Sequence, residues 1–223
     1  MTGSFDDDGF AVLPALLCET EVARVDVAMA RSSEVGSREV LDEAWCAALA
    51  SRIRDDTRVT IALGGTHVAV QCTSFEKSVE RNWLVPVHQD LAIPVAARVD
   101  HPALTGWSNK SGTWFVQPPV EVLEQLVAVR LHIDECGVDD GALKVVPGSH
   151  RRGRLADAEA IALRDARGSV VCPVPRGGAM LLRPLLLHAS SKATGASRRR
   201  VLHFLFGPRQ LPLGLAWVRA PAR

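Results

Sequence analysis

The sequence lacks the features that are typical of nucleic-acid-binding proteins and of membrane proteins. Its 26 lysine and arginine residues nearly balance its 25 aspartate and glutamate residues, so the net charge at pH 7 is +1. A chain with so little net charge generates no field that attracts nucleic acid or an anionic bilayer. No apolar run reaches the roughly 18 residues that a membrane-spanning helix requires. We therefore expect a small-molecule partner, with neither nucleic acid nor membrane.

Paired cysteines are also missing. The chain has five cysteines, and no two are spaced as Cys-x-x-Cys, which argues against a zinc site or a redox pair. Unpaired cysteines fit a reducing compartment. Residues 1–10 are acidic and lack the basic start and apolar core of a secretory signal, so we expect a cytoplasmic protein. Tyrosine is absent and aromatic residues make up 5% of the chain, which gives no guide to the substrate.

The composition is that of a globular protein with a proper core. Of the 223 residues, 47% are hydrophobic and 23% are charged, and β-barrels and sandwiches of this length often form single domains. We find no internal repeat, so we expect one domain over residues 1–223. Residues 1–57 are predicted to be helical, because apolar residues recur at helical spacing in Glu19 to Arg31 and again in Arg38 to Arg54.

From residue 58 to residue 210 the pattern changes to that of β-strands. Short β-branched or alternating runs are separated by clusters of Gly, Pro, Asn and Asp. Short helices are predicted between them at Val120 to Gln125 and Asp157 to Asp165. Many short strands after a helical segment favour a sandwich or jelly roll. The predicted strands are Arg58 to Leu63, His67 to Thr73, Leu84 to Ile93, Thr113 to Gln117, Leu126 to Ile133, Ala142 to Val146, Ser169 to Val174, Ala179 to Leu182 and Arg199 to Phe206.

A histidine and a carboxylate lie two residues apart in one of these predicted strands. Side chains at i and i+2 of a strand point to the same face, so His88 and Asp90 can reach one point while Gln89 faces away. A facial triad of two histidines and one carboxylate binds iron(II) in non-heme oxygenases, and His188 is the best candidate for the second histidine. The alternative is a core histidine paired with a neighbouring aspartate. His132 and His203 are rival ligands in similar strands.

Further motifs follow in order along the chain. With the opening Asp8-Gly9-Phe10-Ala11-Val12-Leu13-Pro14, they resemble those of the phytanoyl-CoA dioxygenase family. The motifs are Phe75-Glu76-Lys77, Asn82-Trp83 followed by His88-Gln89-Asp90, Asp140-Gly141-Ala142-Leu143 running into Pro147-Gly148-Ser149-His150, Gly177-Gly178, His188-Ala189-Ser190 and Arg199-Arg200-Val201-Leu202-His203.

The resemblance implies a fold, the double-stranded β-helix, which is a jelly-roll, cupin-like core. It also implies a chemistry. Members use iron(II), 2-oxoglutarate and dioxygen. The expected activity is hydroxylation of an unactivated C–H bond of a small metabolite or natural-product intermediate, with succinate and carbon dioxide as co-products. Relatives that halogenate lack the carboxylate of the triad, so the presence of Asp90 is similar to the hydroxylating majority.

The resemblance also implies how 2-oxoglutarate is held. The family anchors its distal carboxylate with an arginine eleven residues beyond the last histidine, which is Arg199 here. A guanidinium binds a carboxylate through two parallel hydrogen bonds. A register error of one residue would move this role to Arg198 or Arg200, and the alternative is that all three form a solvated basic edge. Ser190 is expected to donate to the same carboxylate.

Arg130 lies in an otherwise apolar predicted strand, where a buried charge needs a partner. That partner is either a carboxylate of 2-oxoglutarate or an acid such as Asp134.

A group of residues before and after the metal strand is expected to line the substrate pocket. The alternative for the aromatic members is a place in the core, and for the lysine a place on the surface. The candidates are Gln71, Phe75, Lys77, Trp83 and Trp114.

Other functions stay open at this stage. The same cofactors also support desaturation, cyclisation or epimerisation. A cupin-like metal enzyme without 2-oxoglutarate and a non-catalytic binding module are the alternatives from other classes.

Overall fold

The computed structural model describes residues 4–31, 38–195 and 198–219. The helices are α1 (Phe5–Asp8), α2 (Glu19–Arg31), α3 (Ala44–Arg54), α4 (Thr57–Leu63), α5 (Val120–Leu123) and α6 (Asp157–Arg167), with short 3-10 helices at Val40–Asp42, Val138–Asp140 and Ser149–Arg152. The strands are β1 (Phe10–Leu13), β2 (His67–Lys77), β3 (Val85–His88), β4 (Ile93–Val95), β5 (Thr105–Lys110), β6 (Thr113–Gln117), β7 (Val127–His132), β8 (Leu143–Val145), β9 (Val170–Cys172), β10 (Ala179–Leu182), β11 (His188–Ser190) and β12 (Arg199–Pro208).

The strands form three antiparallel sheets. The largest has the order β1-β10-β7-β12-β2, the second has the order β3-β11-β8-β9, and a smaller sheet has the order β4-β6-β5. Strands that are distant in the chain are therefore neighbours in space, as in a jelly roll. The expected fold class, mainly β with N-terminal helices and a jelly-roll core, is confirmed.

The large sheet has two buried faces with different partners. Leu202, Phe204 and Phe206 of β12 pack with residues of α2, α3 and α4 in one apolar cluster. Leu205 of the same strand belongs to a second cluster, which includes Val145 of β8 and residues of the smaller sheets. This alternation follows from the two-residue period of a strand. The N-terminal helices thus cover one face of the sheet, and the space between the sheets lies on the other.

The predicted strand Arg58 to Leu63 is wrong, because this segment is helix α4. The side chain of Asp56 accepts a hydrogen bond from the amide of Arg58 and caps the start of the helix, and Gly64 ends it with φ of 68°. A β-branched run suggested a strand, whereas the cap residues at both ends favoured a helix. Val59, Ala62 and Leu63 are buried at helical spacing.

The other predicted elements differ from the structure mainly at their ends. Leu84 to Ile93 is not one strand: β3 ends at His88 and β4 begins at Ile93. Arg38 to Arg54 is likewise divided between a 3-10 turn and α3. Strands β1 and β5 were not predicted, and β1 lies inside the segment expected to be helical. It pairs with β10 at the edge of the large sheet.

In the described parts of the chain, no helix has the length and apolar character that crossing a membrane requires.

The two-sided burial of the large sheet predicts a large cost for truncating its centre. Leu131 on β7 is fully buried, whereas Leu84 is 60% exposed. We expect Leu131→Ala to lower the free energy of unfolding by about 2–5 kcal/mol. The same truncation at Leu84 should change it by less than about 0.5 kcal/mol. Urea unfolding of both variants measures this difference, and equal losses would contradict the described core.

Candidate active site

The pairing of two short strands brings two histidines together. His188, the first residue of β11, lies directly opposite His88, the last residue of β3. Their ring centroids are 4.2 Å apart. Asp90 follows β3 rather than lying within it, and its amide donates to the carbonyl of Pro184 at 2.9 Å. The predicted strand geometry for Asp90 is therefore wrong, although its carboxylate still reaches the two rings.

The three side chains converge on one point. One ligand atom from each of His88, Asp90 and His188 lies within 4.8 Å of the others. Nε2 of His88 is 3.7 Å from Oδ1 of Asp90, and Nε2 of His188 is 3.7 Å from Oδ2. Within residues 4–31, 38–195 and 198–219 this is the only group of three or more His, Cys, Asp or Glu side chains arranged in this way.

Hydrogen bonds on the far side of each ring prepare the histidines as ligands. Nδ1 of His88 lies 2.9 Å from the carbonyl of Pro86, and Nδ1 of His188 lies 2.9 Å from the carbonyl of Leu186. A carbonyl only accepts, so Nδ1 carries the proton and donates, which leaves the lone pair of each Nε2 facing the carboxylate. Gln89 points elsewhere, and its amide group donates to the carbonyls of Leu185 and Gly153.

The electrostatics favour the protonation states that bind a metal. Burial would raise the pKa of Asp90, but electrostatic interaction with the imidazole groups of His188, His203 and His88 brings that pKa below its usual value. Burial lowers the pKa of His188. At neutral pH the site therefore offers an ionised carboxylate and a neutral imidazole, which is the donor set that suits iron(II).

The cluster opens into a cavity of about 480 Å³ between the sheets. Trp114, which was expected in the pocket, is not among the residues that line it. Its ring packs edge to face on Trp107, with centroids 6.3 Å apart. The other predicted residues do line the cavity: Gln71, Phe75, Lys77, Trp83, Arg130, Ser190 and Arg199.

The structure separates the three consecutive arginines. Arg198 is exposed and pairs with Glu76 at 3.2 Å, and Arg200 pairs with Asp134 and Asp26 on the face of β12 away from the cavity. Arg199 is buried at 4% exposure and lines the cavity. Its Nη1 donates to the carbonyl of Gly141, while its Nε has no hydrogen-bond partner. Arg199 is therefore the member of this run that can bind a cavity ligand.

Lys77 lies opposite Arg199 in the β2–β12 ladder. It is only 2% exposed, so the alternative of a surface lysine is wrong. Its Nζ donates to Oγ of Ser190 at 2.9 Å and to the carbonyl of Ser191 at 2.8 Å. Burial, with the charges of Arg199 and Arg130, lowers the pKa of Lys77 to about 8.

Gly141 supports this end of the cavity. It has φ of +70°, and a Cβ at this position would lie 2.6 Å from the carbonyl oxygen of Ser191. The Asp140-Gly141 motif therefore permits the close approach of two backbone segments beside Lys77.

Arg130 faces the cavity from β7 at 8% exposure. The alternative that it pairs with Asp134 is wrong, because Asp134 is bonded to Arg200. Nη1 of Arg130 instead lies 3.2 Å from Nδ1 of His203, and its guanidinium lies 5.6 Å from the centroid of the Phe75 ring. Burial, followed by the charge of Arg199, lowers the pKa of Arg130 to about 10.

The rival histidines lie outside the cluster. Burial lowers the pKa of His203 to about 3, so its ring is neutral, and Nδ1 accepts from Arg130. His132 lies on β7 and does not line the cavity. The sequence analysis missed His203 as a cavity residue, as it did Phe115 and Gln117 of β6. The alternation within the predicted strand Thr113 to Gln117 already placed these last two on one face.

The donor sets fit an iron(II) ion and anionic ligands. Two prepared imidazoles and a carboxylate meet at one point, and two buried guanidinium groups, those of Arg130 and Arg199, have Nε atoms without a partner. A buried donor of this kind is stabilised by a ligand that accepts from it.

Comparisons with solved structures show the same fold. AviO1 from Streptomyces viridochromogenes is 20% identical with a TM-score of 0.63, and the match covers 93% of each chain. The epimerase SnoN in complex with iron, α-ketoglutarate and nogalamycin RO is 16% identical with a TM-score of 0.68, over 98% of this chain and 91% of that one. HygX from Streptomyces hygroscopicus with nickel, 2-oxoglutarate and hygromycin B is 18% identical with a TM-score of 0.63, over 92% and 84%. A search of curated proteins returned no match.

The sequence profile named phytanoyl-CoA dioxygenase (PhyH) matches residues 5–201, which is most of the chain. The match includes the paired strands, all three members of the cluster, and Arg199. The chain therefore belongs to the phytanoyl-CoA dioxygenase family of iron(II)- and 2-oxoglutarate-dependent oxygenases.

Proposed function

We propose that this protein is a dioxygenase that hydroxylates an unactivated C–H bond of a small metabolite or natural-product intermediate. The observation that carries the proposal is the position of His88, Asp90 and His188 at the wall of the same cavity that Arg199 lines. These three side chains would hold a metal ion and leave its other coordination positions open for a ligand. The metal would bind one end of a chelating dicarboxylate at these open positions, and Arg199 would bind the other end.

Arg199 and Lys77, which lie opposite each other on β12 and β2, would bind 2-oxoglutarate. Arg199 would bind the distal carboxylate through Nε and its second amino group, since Nη1 already donates to Gly141. Lys77 adds a second positive charge beside it. Ser190 accepts from Lys77, so its own hydroxyl proton is free to point toward the same carboxylate. This end of the cavity is buried, which strengthens each of these charge-assisted hydrogen bonds.

When bound, iron(II), 2-oxoglutarate and dioxygen together supply the oxidation that replaces a substrate C–H bond by C–OH, with succinate and carbon dioxide as co-products. The chain itself positions the reactants and excludes water. Apolar side chains including Leu91, Ile93 and Phe115 line the cavity near the cluster, so an organic substrate displaces water there. The presence of Asp90 in the cluster supports hydroxylation over halogenation.

Epimerisation of the substrate is a second candidate for the reaction. SnoN, which shares the fold and binds iron and α-ketoglutarate, is an epimerase, so this fold with these cofactors is compatible with a product in which no oxygen is added. Mass spectrometry of the product separates the two: hydroxylation adds one oxygen atom, and epimerisation leaves the mass unchanged.

Replacing one member of the cluster tests the metal site. We expect His188→Ala to weaken iron(II) binding by more than about 100-fold, because removing a ligand costs at least as much as removing the groups that orient one. His132→Ala is the matched control, since His132 is a buried histidine outside the cluster. Equilibrium dialysis with iron(II) under argon measures both. Equal affinities of the two variants would contradict the site.

Replacing single arginines tests the anchor for 2-oxoglutarate. Arg199→Met should weaken 2-oxoglutarate binding to the manganese(II)-loaded protein by about tenfold to 100-fold, because a charged hydrogen-bond partner contributes about 1.5–3 kcal/mol. Arg198→Met removes an arginine that is bonded to Glu76 at the surface and should leave the affinity unchanged. Calorimetric titration measures both affinities. A loss in the Arg198 variant instead would show that the anchor is misassigned.

The affinity for 2-oxoglutarate should depend on pH through Lys77. Below pH 8 this lysine is charged and attracts a carboxylate, and above pH 8 it becomes neutral. We expect the dissociation constant to rise by up to about tenfold per pH unit above pH 8. Arg130, with its pKa of about 10, and Arg199 both stay charged across this range. In Lys77→Met the affinity should be lower at pH 7 and the change near pH 8 should vanish, and a change that persists would exclude Lys77.

A further inference from the structure

The cavity wall carries more positive charge than the metal and 2-oxoglutarate account for. Its cationic side chains are Arg38, Lys77, Lys110, Arg130 and Arg199. Asp90 is the one acidic residue among the described residues that line it. Iron(II) brings two positive charges and 2-oxoglutarate two negative ones, so these cancel and the excess of cations remains. A buried charge without an opposite charge is costly, so a further anion would stabilise the loaded site.

If Arg199 and Lys77 bind 2-oxoglutarate, Arg130 is the buried cation of the cavity wall that still needs an anionic partner. In the part of the chain that the structure describes, it forms no ion pair with a carboxylate, and its Nε has no hydrogen-bond partner. Its single side-chain hydrogen bond joins it to the neutral ring of His203. That bond satisfies one of the five N–H groups of the guanidinium, so the others have no acceptor among the described residues.

Arg130 reaches the cavity from β7, at a different position along the sheet from Arg199 and Lys77. On the β7–β12 ladder it is opposite His203, four residues along the strand from Arg199. Four residues of a strand span about 13 Å. The charge of Arg130 acts on Asp90 and His188 of the metal cluster as well as on Lys77. Arg130 lines the same cavity as the cluster, so a ligand group on Arg130 lies in the cavity where a substrate must be presented.

The geometry points to a substrate with an acidic group, a carboxylate or a phosphate, which Arg130 binds in the cavity that the metal cluster also lines. This inference rests on the proposed function and reassigns Arg130, which the sequence analysis gave to 2-oxoglutarate. The guanidinium lies 5.6 Å from the centroid of the Phe75 ring. A guanidinium can bind a carboxylate or a phosphate through two parallel hydrogen bonds. Leu91, Phe115 and Leu205 line the same cavity. The substrate class is therefore a small organic acid whose carbon skeleton contacts these apolar side chains.

Three probes of similar shape test the inference: phenylacetate, phenyl phosphate and phenylacetamide. Each is titrated into the protein loaded with manganese(II) and 2-oxoglutarate, and the relaxation of the probe's protons is measured by NMR. Manganese(II) relaxes nearby protons, so binding at the surface is not counted. We expect at least one of the two acids to bind about tenfold or more tightly than the neutral amide. Their order shows whether the site prefers a carboxylate or a phosphate. Equal binding of all three probes would overturn the inference, and this comparison needs no variant.

Arg130→Met then assigns the preference to one residue. This variant should bind acid and amide alike, while it still forms the visible chelate of iron(II) and 2-oxoglutarate. Arg167→Met, an exposed arginine of α6, is the control and should match the wild type. Loss of the chelate together with the acid preference would show that Arg130 binds 2-oxoglutarate and would overturn the inference. If the wild type forms no visible chelate with iron(II) and 2-oxoglutarate, the proposed function is refuted. This result is distinct from failure of the inference, because binding of the probes is measured separately, by relaxation from manganese(II).

Discussion

The candidate site depends on the antiparallel pairing of β3 with β11. Residues directly opposite each other in such a pair have side chains on the same face, and the register places His88 opposite His188. A shift by one residue would turn one histidine away. Because β11 has only three residues, its neighbours must fix the register. Oγ of Ser149, fully buried, accepts from the amide of Leu187 at 2.8 Å, immediately before the histidine.

The second constraint is the concentration of buried positive charge on the cavity face of the large sheet. Lys77, Arg130 and Arg199 come from three adjacent strands of that sheet, whose opposite face packs on the N-terminal helices. Their hydrogen bonds go to neutral groups such as the hydroxyl of Ser190 and the carbonyl of Gly141. Neutral acceptors only partly offset the loss of solvation of a charge. Anionic ligands supply the opposite charge that these cations lack. The buried cations that are costly for stability without a ligand therefore favour the binding of an anion.

The sequence predicted the fold class from two-residue periodicity and the residues of the cluster from the order of its motifs, although Asp90 follows β3 instead of lying within a strand. It misjudged residues 58–63, where β-branched side chains outweighed the caps at Asp56 and Gly64 in the prediction. It left open whether Arg130 pairs with Asp134, which the structure shows bonded to Arg200. Which arginine pairs with which acid depends on contacts between strands distant in the chain, and periodicity contains no such information. For the same reason the burial of Lys77 followed only from the packed structure.

The central claim is that one cavity binds iron(II) at the cluster of two histidines and Asp90, and 2-oxoglutarate between that metal and Arg199. The most direct measurement is an anaerobic titration of the metal-free wild-type protein with iron(II) and 2-oxoglutarate, followed by visible absorption. The account predicts a weak charge-transfer band that requires both additions and saturates at one equivalent of each. A folded protein that binds iron(II) but shows no band with 2-oxoglutarate would contradict it.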